Sequence, residues 1–149
     1  ALSRIFVLAT AICATLLAQR IKVLLNLFIF HRFIAERMWG AGGMPSSHSA
    51  TVCAMVVATG RYCGVNSPLF AIAAVLSIIV MYDAMGVRYE TGEQAKVLNR
   101  MFTEWMDQGF EQFQLPHGKK LKEMVGHTPI EVLTGAALGI VLGFAMPMV

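Results

Sequence analysis

Residues 62–82, YCGVNSPLFAIAAVLSIIVMY, form an uncharged stretch that is long enough to cross a lipid bilayer as a single helix. Such a crossing takes roughly 20 residues, because each residue advances an α-helix by only about 1.5 Å. Three further runs of the chain are similarly apolar, namely residues 5–30, 49–60 and 132–149. We therefore predict an all-α integral membrane protein, built as a compact bundle of about four transmembrane helices.

The composition supports a membrane protein and argues against other classes. Of the 149 residues, 56% are hydrophobic and only 14% are charged, whereas a soluble domain carries about 25% charged residues. The length predicts a single membrane-embedded domain over residues 1–149. The net charge of +3 comes with no basic stretch that is interleaved with aromatic residues, so we expect no nucleic-acid partner.

One segment, residues 92–113, differs from the apolar runs. Its apolar residues recur at spacings of three and four, and charged residues fill the other side. This pattern predicts an amphipathic helix that lies on the membrane surface. Thr91 would be its N-cap and Gln94 would occupy the third helical position, as in a capping box.

Threading the apolar runs through a bilayer collects the polar residues at one face. Ten of the twelve Lys and Arg residues also fall there, the exceptions being Arg4 and Arg61. The positive-inside rule makes this face cytoplasmic. The polar residues that converge on it are Lys22, Arg32, His48, Asp83, Arg88, Lys122, His127 and Glu131.

Two motifs at this face have the character of helix starts. The first is GGMPSSHSATV, residues 42–52, where Ser46 or Ser47 can cap a helix that begins beside His48. Its free N–H groups and positive dipole end would attract an anion. The chain therefore carries a histidine where a phosphate could bind.

The second motif is LKEMVGHTPIEVLTGAALGI, residues 121–140. Thr128, Pro129 and Glu131 match the N-cap, first and third positions of a helix. His127 precedes Glu131 by four residues, so the carboxylate can hold one ring nitrogen protonated and leave the other free as a nucleophile. Alternatively, Glu131 is only a capping carboxylate. The glycines repeated every fourth residue predict a smooth face for close helix packing, and they are Gly135, Gly139 and Gly143.

Together these motifs resemble those of the type 2 phosphatidic acid phosphatase superfamily. PSSH and the later HTPIEVLTG resemble its PSGH and HxxxD motifs, and MYDAMGVRYETGEQAKVLN resembles a block of its divergent branch, which is related to acid phosphatases and vanadium-dependent haloperoxidases. The resemblance covers about residues 17–140. It implies the helical core of that superfamily and a phosphatase activity.

The resemblance also implies roles for individual residues. His127 matches the histidine that attacks phosphorus, and Glu131 stands where an aspartate orients that histidine. His48 matches the histidine that protonates the leaving oxygen. Ser46 matches a phosphate-binding serine, and Ser47 replaces the glycine of PSGH.

The cationic positions depart from the family pattern. Lys22 of the first motif is present, but Arg32 lies at a longer spacing and no proline follows it. The arginine of SRxxxxxH would fall on Leu121, which makes the adjacent Lys122 the nearest cation. Arg88 is the candidate for the missing arginine, and its block also contains Asp83 and Gln94. The residues expected to bind substrate are therefore Lys22, Arg32, Ser46, Ser47, Arg88, Lys122, Asp83 and Gln94.

The predicted function is a membrane phosphatase that hydrolyses a lipid phosphate or an isoprenoid diphosphate through a phosphohistidine. The chemistry needs a nucleophile, an acid and cations, and it requires no metal or other cofactor. Two alternatives stay open. One is a metal-dependent hydrolase whose ligands come from Asp83, Glu131, His48 and His127. The other is a non-catalytic protein that binds anionic lipid headgroups. The small core favours a homodimer that completes the helix packing.

Overall fold

Every element of the fold is an α-helix in the part of the chain that the structure describes. This computed structural model describes residues 5–30, 43–109, 120–123 and 125–148, except for the side chains of residues 29 and 30. Five helices lie in this part, and no strand does. They are α1 (Phe6–Phe30), α2 (Ser47–Cys63), α3 (Pro68–Met85), α4 (Val87–Asp107) and α5 (Pro129–Ala145). The predicted all-α class is confirmed.

The second helix lies at the centre of the bundle, packed against α1, α3 and α5. Small side chains make this packing close. The core contains the fully buried Ala14 and Ala18 of α1 and Ala50 and Ala54 of α2, with leucines of α5 against them. Alanine cores of this kind let helix backbones approach closely, as is typical of helices that associate in a membrane.

The glycine repeat of α5 faces α2, which confirms the predicted packing role. A Cβ at Gly135 would overlap the carbonyl oxygen of Ser46, and a Cβ at Gly139 would overlap that of Ala50. The two backbones are therefore in direct contact over two turns. This contact places the start of α5 beside the start of α2, where both motifs lie.

Two stretches of the described chain are long and apolar enough to cross a membrane. They are Phe6–Phe28 and Pro68–Asp107, and the second combines α3 with α4. The helices α2 and α5 have 17 residues each, which is at the lower limit of the roughly 17–25 residues that a crossing takes. Four crossings, and a single domain over residues 1–149, therefore stay predictions.

The amphipathic helix has other boundaries than the sequence predicted. It begins at Val87, directly after Gly86, and ends at Asp107, before a turn that contains Gly109 at φ +83°. Thr91 is not its N-cap, because the Thr91 hydroxyl donates to the carbonyl oxygen of Val87 inside the helix at 2.8 Å. The prediction of a helix over 92–113 was wrong at its start and its end, and residues 110–113 lie outside the described residues.

The single glycine between α3 and α4 explains why α4 begins earlier than the sequence predicted. The Gly86 N–H donates to the Tyr82 carbonyl oxygen at 2.9 Å and so closes α3, while the Gly86 carbonyl oxygen accepts from the Glu90 N–H at 3.0 Å and so opens α4. The chain thus changes direction in one residue. Helical periodicity shows which residues share one face of a helix, but it does not show that one helix ends and the next begins at a single residue.

Arg61 lies near the C-terminal end of α2 and closes that end of the bundle. It is about 20 Å from His48 along the helix axis, since each residue of an α-helix rises about 1.5 Å. One of its terminal nitrogens donates to the carbonyl oxygens of Gly143 at 2.6 Å and Met146 at 2.8 Å. These bonds satisfy carbonyl groups that the end of α5 leaves without an intrahelical donor. Arg61 therefore has a structural task far from the two motifs.

Candidate functional site

The two motifs meet at one end of the bundle. The ring centroids of His48, in the first turn of α2, and His127, which precedes α5, are 6.0 Å apart. The Ser46 N–H donates to the Glu131 carbonyl oxygen at 2.9 Å and ties the two helix starts together. A small molecule that contacts one histidine is thus within reach of the other.

His127 is the buried member of the pair, with only 1% of its surface exposed. Its backbone N–H donates to the Ala84 carbonyl oxygen at 3.0 Å, at the end of α3. Its ring Nδ1 lies 3.2 Å from Oε2 of Glu131, whereas its buried Nε2 has no hydrogen-bond partner among the described residues. A carboxylate at Nδ1 favours the proton there and leaves the lone pair of the neutral ring on Nε2.

Glu131 performs both of the tasks that the sequence left open. Its Oε2 accepts from the Thr128 N–H at 3.0 Å, which completes a capping box at the start of α5, and the same oxygen contacts His127. The backbone of Gly43 also hydrogen-bonds this carboxylate. The capping interaction therefore holds the carboxylate in contact with Nδ1 of His127.

Lys22 is a buried cation beside these groups. Only 1% of its surface is exposed, and it interacts electrostatically with Glu131 and with His48. Gly43, at φ +89°, lies over its aliphatic stem, where a Cβ would be 3.7 Å from two of the methylene carbons. Burying a lysine is costly unless its charge is compensated, so its place beside a carboxylate and an anion-attracting helix start indicates a functional role.

His48 is exposed and faces a second pair of charges. Nε of Arg88 donates to Oδ2 of Asp83 at 2.7 Å, and the two side chains are 48% and 40% exposed. Both groups interact electrostatically with His48. The join between α3 and α4 therefore brings an arginine to the rim of the site.

Ser46 and Ser47 of the first motif are buried. Oγ of the fully buried Ser46 accepts from the Ser49 N–H at 3.3 Å and from the Ser49 hydroxyl at 3.1 Å, so Ser46 is the N-cap of α2. Ser47 is buried as the first residue of the helix. Helix geometry leaves the N–H groups of Ser47 and His48 as the first-turn donors without an intrahelical acceptor.

Two predicted substrate-binding residues of the described chain make no hydrogen bond to either histidine of the site. Gln94 is exposed on α4, and Lys122 is exposed in the non-helical segment 120–123. Within the described part of the chain, no hydrogen bond joins either of them to a histidine. Arg32 lies outside the described residues.

The sequence analysis missed the groups that hold the segment leading to His127. Asn99 of α4 bonds the backbone of Leu121, and Gly92 and Gly126 let this segment and α4 touch. A signal was present, since buried residues of α4 follow the spacing Gly92, Ala95, Asn99. A polar amide at a core-facing position must find hydrogen-bond partners.

No group of three or more His, Cys, Asp or Glu side chains gathers at metal-binding distances among the residues that the structure describes. Three of the four residues of the metal-dependent alternative have other polar partners in the described chain. Glu131 contacts His127, and the Asp83 carboxylate contacts Arg88.

These features define an all-helical membrane protein with a histidine-containing polar site at one end of its bundle. Residues 4–142 match the Divergent PAP2 family, and the chain belongs to that family. The membrane protein YuiD of Bacillus subtilis (strain 168) is 38% identical over 143 residues, which cover 92% of this chain and 90% of that protein. No solved structure matches the chain. The family resemblance that the motifs indicated is confirmed.

Proposed function

We propose that the protein is a membrane phosphatase that hydrolyses a lipid phosphate or an isoprenoid diphosphate through a phosphohistidine at Nε2 of His127. The observation that carries this proposal is that Nε2 is buried and without a partner among the described residues, while Nδ1 is held by Glu131 and the ring faces His48. A buried nitrogen that lacks a partner within the protein is suited to a partner that the substrate supplies.

In the first step, the Nε2 lone pair of His127 attacks phosphorus and a P–N bond forms. The bond between phosphorus and the leaving oxygen breaks, and that oxygen takes its electron pair. Protonated His48 donates a proton to this oxygen, so that an alcohol leaves from a lipid phosphate, or the isoprenoid monophosphate leaves from an isoprenoid diphosphate. The Glu131 carboxylate stabilises the positive charge that develops on the His127 ring.

In the second step, water attacks the phosphohistidine. His48, now neutral, removes a proton from the attacking water. The P–N bond breaks and its electron pair returns to Nε2, which restores His127 and releases inorganic phosphate. Both histidines end in their starting states.

The phosphoryl oxygens need cations and N–H donors around them. Among the described residues, Lys22 and Arg88 are cations that interact electrostatically with His48. The N–H groups of Ser47 and His48 at the start of α2 have no intrahelical acceptor. The positive end of the α2 dipole adds to their attraction for an anion. Asp83 holds Arg88, whereas substrate contacts of Arg32, Gln94 and Lys122 stay predictions.

The location of the site favours an amphiphilic substrate. The site lies where apolar helices begin, so a charged headgroup would meet it at the membrane surface while the apolar tail stays in lipid. The positive-inside rule places this surface on the cytoplasmic side. A homodimer that covers more of the apolar helix surface is part of the same proposal.

The test is phosphate release by purified protein from a panel of short-chain lipid phosphates and isoprenoid diphosphates in detergent micelles. We expect release from at least one substrate and none from the His127→Ala variant. Headgroup binding with no release would favour the non-catalytic alternative. Activity that is lost on chelation and restored by a divalent cation would favour the metal-dependent one.

A further inference from the structure

The amphipathic helix α4 binds the segment that leads to His127 through one buried amide. Only 5% of the surface of Asn99 is exposed. Its Oδ1 accepts from the Leu121 N–H at 2.9 Å, and its Nδ2 donates to the Leu121 carbonyl oxygen at 2.9 Å. Nδ2 also donates to Oε1 of Glu123 at 2.8 Å. Asn99 thus bonds both backbone groups of one residue, as a neighbouring peptide group would.

Two glycines extend this contact towards the site. A Cβ at Gly92 would overlap the carbonyl oxygen of Glu123, and a Cβ at Gly126 would overlap the backbone of Tyr89. Backbone therefore lies against backbone at two further points between Asn99 and the start of α4. The contact ends at His127, whose N–H bonds the last turn of α3.

We infer that Asn99 is a positioning residue that acts through this segment to keep Nε2 of His127 facing His48. The inference rests on the proposed function. Residues 120–123 and 125–128, the described part of this segment, are not helical. Hydrogen bonds within a helix therefore do not fix their course, and the bonds of Asn99 replace them. The anion-binding groups lie elsewhere, on α1, at the start of α2 and in the first turn of α4.

Removing the hydrogen bonds of Asn99 should therefore slow phosphorylation of His127 more than it weakens binding of the phosphate group. Displacing a reacting group by about 1 Å can cost about 100-fold in rate. In Asn99→Leu, an apolar side chain of similar size, we expect His127 phosphorylation to slow by about 10- to 100-fold on this basis. Affinity for inorganic phosphate, which binds without a bond to His127, should change by less than about 2-fold, because Lys22 and the α2 start are untouched.

A single variant and a double variant that restores the net charge separate a loss of positioning from a general loss of stability. In Asn99→Asp, the new carboxylate faces the carboxylate of Glu123 and the Leu121 carbonyl oxygen, so phosphorylation should slow. In the double variant Asn99→Asp with Glu123→Gln, the glutamine amide can donate to the introduced carboxylate, while the Leu121 N–H still donates to that carboxylate as well. This variant should recover part of the lost rate, although Glu123→Gln alone should change little.

The experiment measures single-turnover phosphorylation of His127, affinity for inorganic phosphate and thermal unfolding for each variant in the full chain. Arg100→Gln, at an exposed position next to Asn99, is the matched control and should behave as wild type. An unchanged phosphorylation rate in folded Asn99→Leu would overturn the inference alone. A slow phosphorylation rate in Asn99→Asp that Glu123→Gln does not relieve would also overturn the inference. This second comparison decides the question if Asn99→Leu does not fold. Absence of phosphorylation in the wild type would overturn the proposed function, and the inference with it.

Discussion

Replacing Glu131 by glutamine separates the two tasks of this carboxylate. Its Oε2 lies 3.0 Å from the Thr128 nitrogen and 3.2 Å from Nδ1 of His127. Glutamine keeps an oxygen that can accept from the Thr128 N–H, and a helix cap is worth about 1 kcal/mol in total. The loss at the helix cap should therefore lower the free energy of unfolding by less than about 1 kcal/mol, and any larger loss would report on the buried Lys22, whose charge Glu131 compensates.

The effect on catalysis should be much larger, because a neutral amide cannot stabilise the charge on the His127 ring as the P–N bond forms. In serine proteases, an amide in place of the orienting carboxylate lowers kcat by about 10⁴. At about 1.36 kcal/mol per factor of ten, this amounts to about 5 kcal/mol of transition-state stabilisation. A loss of this order is easily measured.

The assay is phosphate release at saturating substrate, with thermal unfolding measured on the same preparations. Glu131→Asp is the matched control, since it keeps the charge and removes only one methylene group. Its kcat should lie between those of wild type and Glu131→Gln. Full activity of Glu131→Gln would refute the reasoning and leave Glu131 with its capping role alone.

Three further outcomes are expected. Gly139→Ala should lower the unfolding free energy by about 1–3 kcal/mol in thermal unfolding, because its Cβ would collide with the Ala50 carbonyl oxygen and separate α2 from α5. His48→Ala should lower kcat by about 10²–10⁴ and let the phosphohistidine accumulate, and a better leaving group should partly relieve its first step. Arg88→Gln should raise KM with a stability change under about 1 kcal/mol, because the Asp83–Arg88 pair is half-exposed; an unchanged KM would contradict its role in binding.

Local hydrogen bonds at helix starts could be predicted from the sequence. The cap of α2 at Ser46 and the capping box of Thr128 and Glu131 involve residues three positions apart, so their pattern is visible in the chain. The glycine repeat of α5 was informative for the same reason, because its spacing alone defines one face of a helix.

Contacts between distant residues could not be predicted in this way. Asn99 and Leu121 are 22 positions apart, and no local pattern specifies which backbone groups a buried amide will bond. The start of α4 was missed because Thr91 resembles an N-cap, while Gly86 allows helical bonding to resume five residues earlier. The pairing of Arg88 with Asp83 likewise depends on how the chain turns at that glycine.

The hydropathy pattern also does not determine the number of membrane crossings. The runs that contain α2 and α5 are apolar, but each helix has 17 residues and packs against the other through small residues. Burial inside a bundle and burial in lipid both select apolar side chains, so hydropathy alone does not separate them.

The most direct test of the central claim is to trap the phosphoenzyme. Protein is mixed with a phosphorus-labelled lipid phosphate, quenched in base to preserve phosphohistidine, and digested so that mass spectrometry locates the label. We expect a label on His127 in the wild type, more label on His127 in His48→Ala, and none in His127→Ala. A label on His48, or phosphate release from His127→Ala at the wild-type rate, would contradict the claim.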